Sequence, residues 1–372
     1  MRIAFNAFFY DQSTTGSGQY AYQLVEALRK VDPSLQIELV TPRSRSDLAK
    51  VWFEQWHFPS VAALMKADVA FVPYWAPPLQ CAVPVVATIH DVIPLALPAY
   101  RGGPLQRLYT SLVRAASANT AHILTDSQFS RRDIVRLLPV REARVSAIPL
   151  AVPSTFTPTV PQSDLQRVHE RYGLPDSYVF HLGGFDQRKN TETLFQIYTW
   201  CAEAIGNDYP LVITGTPETT AFGAQGRRMT LGQMTQELAL DAEVVRFIGR
   251  PLEADKPALY AGARCFLYTS SYEGFGLPAL EAIACGTPVV GSDASSIPEV
   301  VGNAGMLLNP YDARRLAGAL IAVCTEDTLH DRLSENALQQ AAQFSWQRTA
   351  QETVDVLRRV AGRHEIASGA GG

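Results

Sequence analysis

Long apolar runs are absent from this sequence. No stretch approaches the roughly 18 uninterrupted apolar residues of a membrane-spanning helix. The opening MRIAFNAFF carries no leader pattern, so a cytoplasmic location is expected. Cysteine is scarce. Cys81, Cys201, Cys265, Cys285 and Cys324 are scattered without a Cys-x-x-Cys pair, and an odd number cannot all pair within the chain. Reduced, mostly buried thiols are the simple expectation. Basic charge is not in excess: 32 Lys and Arg against 36 Asp and Glu leave −4. Nucleic-acid binders usually carry a basic domain, so no nucleic-acid partner is expected. Metal-ligand patterns are missing too. No Asp-x-Asp lies between strands and no His/Cys cluster occurs, so the sequence offers no metal-binding pattern.

The composition that remains is globular. The 372 residues are 47% hydrophobic, and a typical domain of about 150 residues predicts two domains. The halves differ in sign: residues 1–150 sum to +4 and residues 151–372 to −8. The first half alternates strand with helix. Apolar or β-rich runs lie at Arg2–Phe8, Gln36–Thr41, Asp68–Val72, Val83–His90, His122–Asp126 and Val145–Ile148. Helical spacing covers Gly18–Arg29, Leu105–Ala118 and Ser127–Leu137. Prolines 153, 158, 161 and 175 then break the rhythm, although Asp164–Tyr172 has helical character. The alternation restarts at Tyr178–Leu182, with a helix predicted over Arg227–Leu240 and three helical stretches closing the chain.

Alternation of this kind predicts an α/β protein of two doubly wound, Rossmann-like domains facing across a cleft. The expected boundaries are 1–152, a linker at 153–176, a second domain at 177–344, a crossing helix at 345–362 and a flexible tail at 363–372.

One stretch carries most of the chemistry: Ser271-Tyr-Glu-Gly-Phe-Gly-Leu-Pro-Ala-Leu-Glu281. Two carboxylates, Glu273 and Glu281, flank a glycine turn between a strand and a helix. Gly274 and Gly276 let the backbone approach a ligand closely. The amides of Phe275, Gly276 and Leu277 at the helix start favour an anion such as a phosphate. Each carboxylate suits sugar hydroxyls as an acceptor. A solvated surface helix explains two glutamates eight apart equally well when they stand alone. A second turn, Gly183-Gly184 followed by Arg188-Lys189, places two cations between a strand and a helix, which suits a departing diphosphate.

Together these stretches resemble the signature of retaining glycosyltransferases of family 4, the group 1 transferases with the GT-B fold. Leu182–Asn190 resembles the family's phosphate-gripping loop. Val245–Arg250, with Gly249 and Arg250, resembles its base-side loop. Leu259–Ala263 and Ser295–Glu299 also match, and Phe344-Ser-Trp346 resembles the start of a last helix that returns to the first domain. Thr88–Val92 and Thr125–Arg132 match more loosely. The wording is most similar to bacterial mannosyltransferase-type members.

The resemblance implies a nucleoside-diphosphate-sugar donor, no divalent metal and no bound cofactor. It implies that Glu273 holds the hexose hydroxyls, Glu281 the ribose, and Arg188 and Lys189 the diphosphate. His90, at a strand end beside Asp91, is implied to lie near the transferred sugar and to orient it. Gly16 and Gly18 are implied to form a glycine-rich lip by the donor. Many relatives carry an arginine where this chain has Gly184, and Arg188 is expected to supply that cation.

Gly16-x-Gly18-x-x-Ala21 formally matches a dinucleotide fingerprint, but it starts too far after the strand for the tight turn that motif needs. The acceptor is expected to be a glycan or a polyprenyl-diphosphate-linked glycan, with Tyr10, Tyr20, His57 and Asp91 as its candidate contacts. Trp52, Trp56, His57 and Phe58 fit either an acceptor groove or core packing. Eight arginines between Arg101 and Arg144, against three acids, form either a solvated face or a peripheral contact with an anionic membrane. The expected function is retaining transfer of a hexose, best read as mannose from GDP-mannose. A sugar-nucleotide epimerase, a phosphorylase and a non-catalytic nucleotide-sugar-binding subunit remain open.

Overall fold

The computed structural model describes residues 1–12, 15–223 and 226–369. The chain divides into two units, Met1–Leu150 with Ser345–Gly372, and Ala151–Phe344. With these boundaries the charge contrast sharpens to +5 and −9.

The first unit holds six strands: β1 (Arg2–Asn6), β2 (Gln36–Val40), β3 (Val69–Val72), β4 (Val85–Thr88), β5 (His122–Thr125) and β6 (Val145–Ala147). They form one parallel sheet in the order β2-β1-β3-β4-β5-β6. β3, β4 and β5 are buried along their whole length, as parallel strands covered on both faces must be.

The helix Gly16–Val31 follows β1 and is capped by Thr15, whose Oγ1 accepts the Gly18 amide at 3.1 Å. A Cβ at Gly18 would overlap the Gln12 carbonyl, so this glycine has a packing role as well as any role in a lip. The last helix, Trp346–Gly369, belongs to this unit. Thr349 Oγ1 donates to the Pro149 carbonyl at 2.7 Å, and Arg358 pairs with Asp32 at 2.6 Å. The helix runs into the stretch expected as a tail; residues 370–372 lie outside the described residues.

The second unit contains β7 (Val179–His181), β8 (Leu211–Ile213), β9 (Thr220–Phe222), β10 (Arg228–Thr230), β11 (Val245–Phe247), β12 (Cys265–Tyr268), β13 (Val289–Ser292) and β14 (Gly305–Leu308). Six of them form a parallel sheet ordered β11-β8-β7-β12-β13-β14, while β9 and β10 make a separate antiparallel hairpin. The helix Gln162–Tyr172 is fastened to this unit. Arg167 and Arg171 hold the buried carboxylate of Asp255 at 2.6 and 2.7 Å, and the Tyr172 hydroxyl donates to it at 2.7 Å.

Two local expectations are corrected. The helix predicted from Arg227 starts only at Leu231, because Thr230 and Gln233 form a reciprocal capping box and the residues before it pair as β10. Residues 47–64, left without a secondary-structure expectation, are helical throughout: Asp47–Trp52, a π-helical turn at Phe53–His57, then Phe58–Leu64. Their outward-facing Leu48, Trp52, Trp56 and Leu64 hide the helical periodicity. Of the five thiols, which are unpaired, four are buried and Cys81 is partly exposed. No helix among the described residues is long and apolar enough to cross a membrane.

Candidate active site

In the second unit the site forms where β7 and β12, neighbours in the sheet, both end. After β7 the chain passes Gly183 and Gly184 into a short 3-10 turn, Gln187–Lys189, and reaches the helix Thr191–Cys201 through Asn190. Asn190 sits in the left-handed region at φ 54°, a conformation asparagine tolerates. Its amide donates to the Pro310 carbonyl at 2.6 Å and its oxygen accepts from Thr193 at 3.0 Å. The loop after β12 is stitched to this turn. The Arg188 carbonyl accepts both the amide and the hydroxyl of Ser271, at 2.7 and 3.0 Å, and the Lys189 carbonyl accepts the Thr269 hydroxyl at 3.1 Å.

That stitching brings Glu273 onto both cations. Lys189 Nζ donates to one carboxylate oxygen at 2.6 Å and Arg188 Nη1 to the other at 2.7 Å. Arg188 Nη1 also reaches the Tyr272 carbonyl at 3.0 Å, and its Nε lies 3.3 Å from Asp186. Lys189 Nζ stands 5.6 Å from the centre of the Tyr268 ring. Glu273 is only 8% exposed and Lys189 7%. Burial alone would raise the Glu273 pKa, but the charges of Lys189 and Arg188 outweigh it and bring it down to about 2. Ser295 and Ser296 hold the backbone: the Glu273 amide donates to Ser295 Oγ at 3.0 Å, and Ser296 Oγ donates to the carbonyls of Glu273 and Phe275.

The turn then closes at Gly276, φ 110°, with open space where a side chain would project. The helix Leu277–Ala284 that it starts has no side-chain cap; Pro278 carries no N–H and the Ala279 amide donates to the Gly276 carbonyl at 3.0 Å, so the Leu277 amide is the one of its first turn that suits a ligand. Glu281, one turn in, accepts the Tyr260 hydroxyl at 2.8 Å. Burial raises its pKa to about 7, with Lys256 opposing. Gly249, φ 68°, is bridged to Gly215 and faces open space, while Arg250 is exposed. Neither Gly183 nor Gly184 is dictated by packing, since a Cβ at either would make only ordinary 3.5 Å contacts. The structure leaves position 184 without a cation and places Arg188 on Glu273.

In the first unit, His90 lies just beyond β4. Its Nδ1–H donates to Asp126 at 2.7 Å, which leaves Nε2 without a hydrogen-bond partner. Burial lowers its pKa, yet the charge and hydrogen bond of Asp126 prevail and the net shift is upward. Tyr20 meets the imidazole edge to face at 4.7 Å, and its hydroxyl shares a hydrogen bond with Thr88 at 2.9 Å. Tyr20 is therefore a buried wall for His90 rather than an open acceptor contact. Asp91 caps the Ile93 amide at 3.0 Å. Tyr10 packs on Tyr22, and His57 stacks on Trp52.

Sequence reasoning did not single out Asp126, Tyr268 or Tyr260. Asp126 lies in a quoted motif, but nothing in the spacing ties position 126 to position 90.

The profile for glycosyl transferases group 1 matches residues 164–340, and the profile for glycosyltransferase family 4 matches residues 14–156. O-antigen chain mannosyltransferase B of Escherichia coli is 32% identical over 274 residues, covering 73% of this chain and 70% of that protein. This chain belongs to the group 1, family 4 glycosyltransferases. The serotype-specific mannosyltransferase WbdA of the same organism is 28% identical over 278 residues, but the match spans only 33% of its length. Among solved structures, sucrose-phosphate synthase of Thermosynechococcus elongatus superposes with a TM-score of 0.74 at 20% identity, covering 98% of this chain and all of the other. Anabaena HepE, solved with UDP-glucose, gives 0.71 at 21% identity, covering 96% of this chain and 100% of that one. At these identities the structural likeness establishes the GT-B fold and nothing finer.

Proposed function

We propose that this glycosyltransferase moves mannose from GDP-mannose to a glycan or polyprenyl-diphosphate-linked glycan acceptor, with retention at the anomeric carbon and without a metal ion. The single observation that carries the reading is the Arg188–Lys189–Glu273 cluster beside an uncapped helix start. Two cations and a set of oriented amides are what a departing nucleoside diphosphate requires, and such preorganised charge lowers a barrier more than any other single device. The choice of mannose is supported by the Escherichia coli relatives, which are mannosyltransferases. A nucleotide-sugar donor is supported by the UDP-glucose bound to HepE.

In this reading Arg188, Lys189 and the amides up to Leu277 take the diphosphate, and Gly183 and Gly184 let it approach. Glu281 accepts the ribose hydroxyls and Gly249-Arg250 lies on the base side. Glu273 accepts hexose hydroxyls, and His90, fixed by Asp126, orients the sugar. The acceptor hydroxyl attacks from the face of the leaving group and passes its proton to the departing phosphate oxygen. No protein nucleophile is needed, so positioning supplies most of the rate.

Peripheral membrane contact is part of the proposal. Part of the expected arginine block is engaged elsewhere: Arg136 pairs with Asp133, Arg131 with Glu142, and Arg114 donates to the Leu137 carbonyl. The stronger signal is apolar. Leu48, Trp52 and Trp56 recur every four residues and are exposed, as are Leu105 and Leu108 with Arg101 and Arg107 beside them. The segments adjoin, because the Tyr109 hydroxyl donates to Glu54 at 3.0 Å. Tryptophan and leucine flanked by arginine suit the interface of an anionic bilayer.

The deciding experiment supplies GDP-mannose, UDP-glucose and UDP-N-acetylglucosamine separately, with and without a lipid-linked glycan acceptor and with a chelator. Mannosyl product of retained configuration, insensitive to the chelator, is expected. Conversion of the sugar nucleotide without acceptor would point to an epimerase, consumption of phosphate to a phosphorylase, and binding without turnover to a partner subunit.

A further inference from the structure

We infer that Glu273 is a built-in competitor for the diphosphate's cations, and that it reclaims Arg188 and Lys189 after sugar transfer so as to expel the nucleoside diphosphate. The inference rests on the donor reading above and assigns that site a release step.

The charges of the site are paired within the protein. Each oxygen of the Glu273 carboxylate is taken by a different cation, Lys189 at 2.6 Å and Arg188 at 2.7 Å, and Asp186 lies 3.3 Å from Arg188 as a second counter-ion. Two positive charges face two negative ones before any ligand arrives. A diphosphate that binds these cations must draw them from Glu273, at least in part.

Glu273 cannot accept that loss passively. It is 8% exposed, and a buried carboxylate stripped of its partners is strongly unfavourable. An intact sugar nucleotide brings its own remedy, because hexose hydroxyls donate hydrogen bonds to the vacated lone pairs. The donor is thus compatible with both the clamp and the carboxylate. After transfer the hexose departs with the acceptor. The diphosphate and Glu273 then compete for the same two cations, and the carboxylate has lost the hydroxyls of the sugar. Re-pairing of Glu273 with Lys189 and Arg188 weakens product binding at the point in the cycle where release is needed.

The geometry keeps Glu273 poised for this return. Its backbone is pinned on both sides, through the Ser295 hydroxyl to its amide and the Ser296 hydroxyl to its carbonyl. Lys189 is steadied by the face of Tyr268, which leaves its ammonium free to tilt between two oxygen partners. The exchange requires only side-chain motion.

The test is calorimetric titration of the full chain with GDP, UDP, inorganic diphosphate and GDP-mannose, comparing wild type with Glu273→Gln and Glu273→Asp. The glutamine variant keeps the shape and removes the charge. It is expected to bind GDP and inorganic diphosphate about tenfold more tightly than wild type, mainly through slower dissociation. The aspartate variant keeps the charge and should show no such gain. Equal or weaker diphosphate binding by a folded Glu273→Gln protein overturns the inference while leaving the donor site intact. If neither wild type nor variant binds any of the four probes, the donor reading falls with it. Should the glutamine variant not fold, wild type alone decides. GDP-mannose is expected to bind about tenfold more tightly than GDP, because only the sugar compensates Glu273, and equal or weaker binding of the sugar nucleotide overturns the proposal.

Discussion

The strand ends of the two units hold polar groups of different kinds. In the second unit full charges meet, as Arg188 and Lys189 close on Glu273. In the first, buried groups draw on neutral as well as charged partners. Tyr109 donates to the fully buried Glu54 at 3.0 Å, Tyr74 donates to Asn6 at 3.2 Å, and Lys50 both pairs with Glu54 at 3.7 Å and lies over the Tyr109 ring at 4.9 Å. At the end of β4, His90 meets the Asp126 carboxylate at 2.7 Å. A unit of net −9 thus concentrates cations where a dianion is expected, and a unit of net +5 presents an imidazole and phenols, which suit uncharged hydroxyls. Local chemistry opposes the average charge of each unit, so net charge alone says little about what either strand end binds.

The largest test of this contrast is Lys189→Ala. It removes the buried cation and leaves Glu273 underpaired, so kcat/KM should fall about a thousandfold and donor affinity should fall with it. A loss below tenfold would mean that the charges in the second unit are structural. Next in size is Asp126→Asn. It keeps the side-chain shape but removes the charge that raises the His90 pKa. Activity should drop roughly tenfold to a hundredfold, and the pH at which His90 protonates should move down. An unchanged His90 titration by NMR would refute the pairing as the cause.

Glu281 gives a smaller effect, and one that depends on pH. Its pKa is raised by burial to about 7, so it is largely protonated below that pH and ionised above it. An ionised carboxylate is the better ribose acceptor, and donor KM should therefore decrease as pH rises through about 7. Glu281→Gln should erase this dependence, leaving KM about tenfold higher than wild type at pH 8 and nearly equal at pH 6. For stability the sign reverses. The folded state favours the protonated acid, so ionisation costs stability as pH climbs from the ordinary carboxylate range towards 7, and the glutamine variant should melt higher than wild type at pH 8.

How much of this was legible depended on sequence distance. The alternation of strands and helices, the glycine turn, the cations at 188 and 189 and the carboxylates at 273 and 281 each lie in short contiguous stretches, where local rules operate. The pairing of Glu273 with both cations joins residues more than eighty positions apart through parallel neighbours β7 and β12, and no local pattern encodes which strands adjoin. Asp126 was hidden for the same reason, since β4 and β5 must pair before it can meet His90. The β9–β10 hairpin was lost because Thr230 and Gln233 sit within a helical pattern while acting as its cap. In residues 47–64, the outward tryptophans and leucines disguised the buried side that Phe53, Phe58 and Ala62 define.

Those outward residues set the smallest test. Leu48, Trp52, Leu105 and Leu108 are 86%, 54%, 83% and 69% exposed, too much apolar surface in one region to be incidental on a protein that works only in solution. If an anionic bilayer covers it, apolar insertion and charge attraction act together, and neither dominates. Trp52→Ser with Trp56→Ser should then reduce sedimentation with anionic vesicles about threefold, and Arg101→Ser with Arg107→Ser by a similar factor that disappears at high salt. Neither pair lies among the residues proposed to hold the donor, so sugar transfer to a soluble acceptor should stay within about twofold of wild type, while transfer to an acceptor held in vesicles should fall along with binding. If vesicle binding survives both double variants, the exposed tryptophans belong to a protein contact instead, and the first unit would reach its acceptor without the bilayer's help.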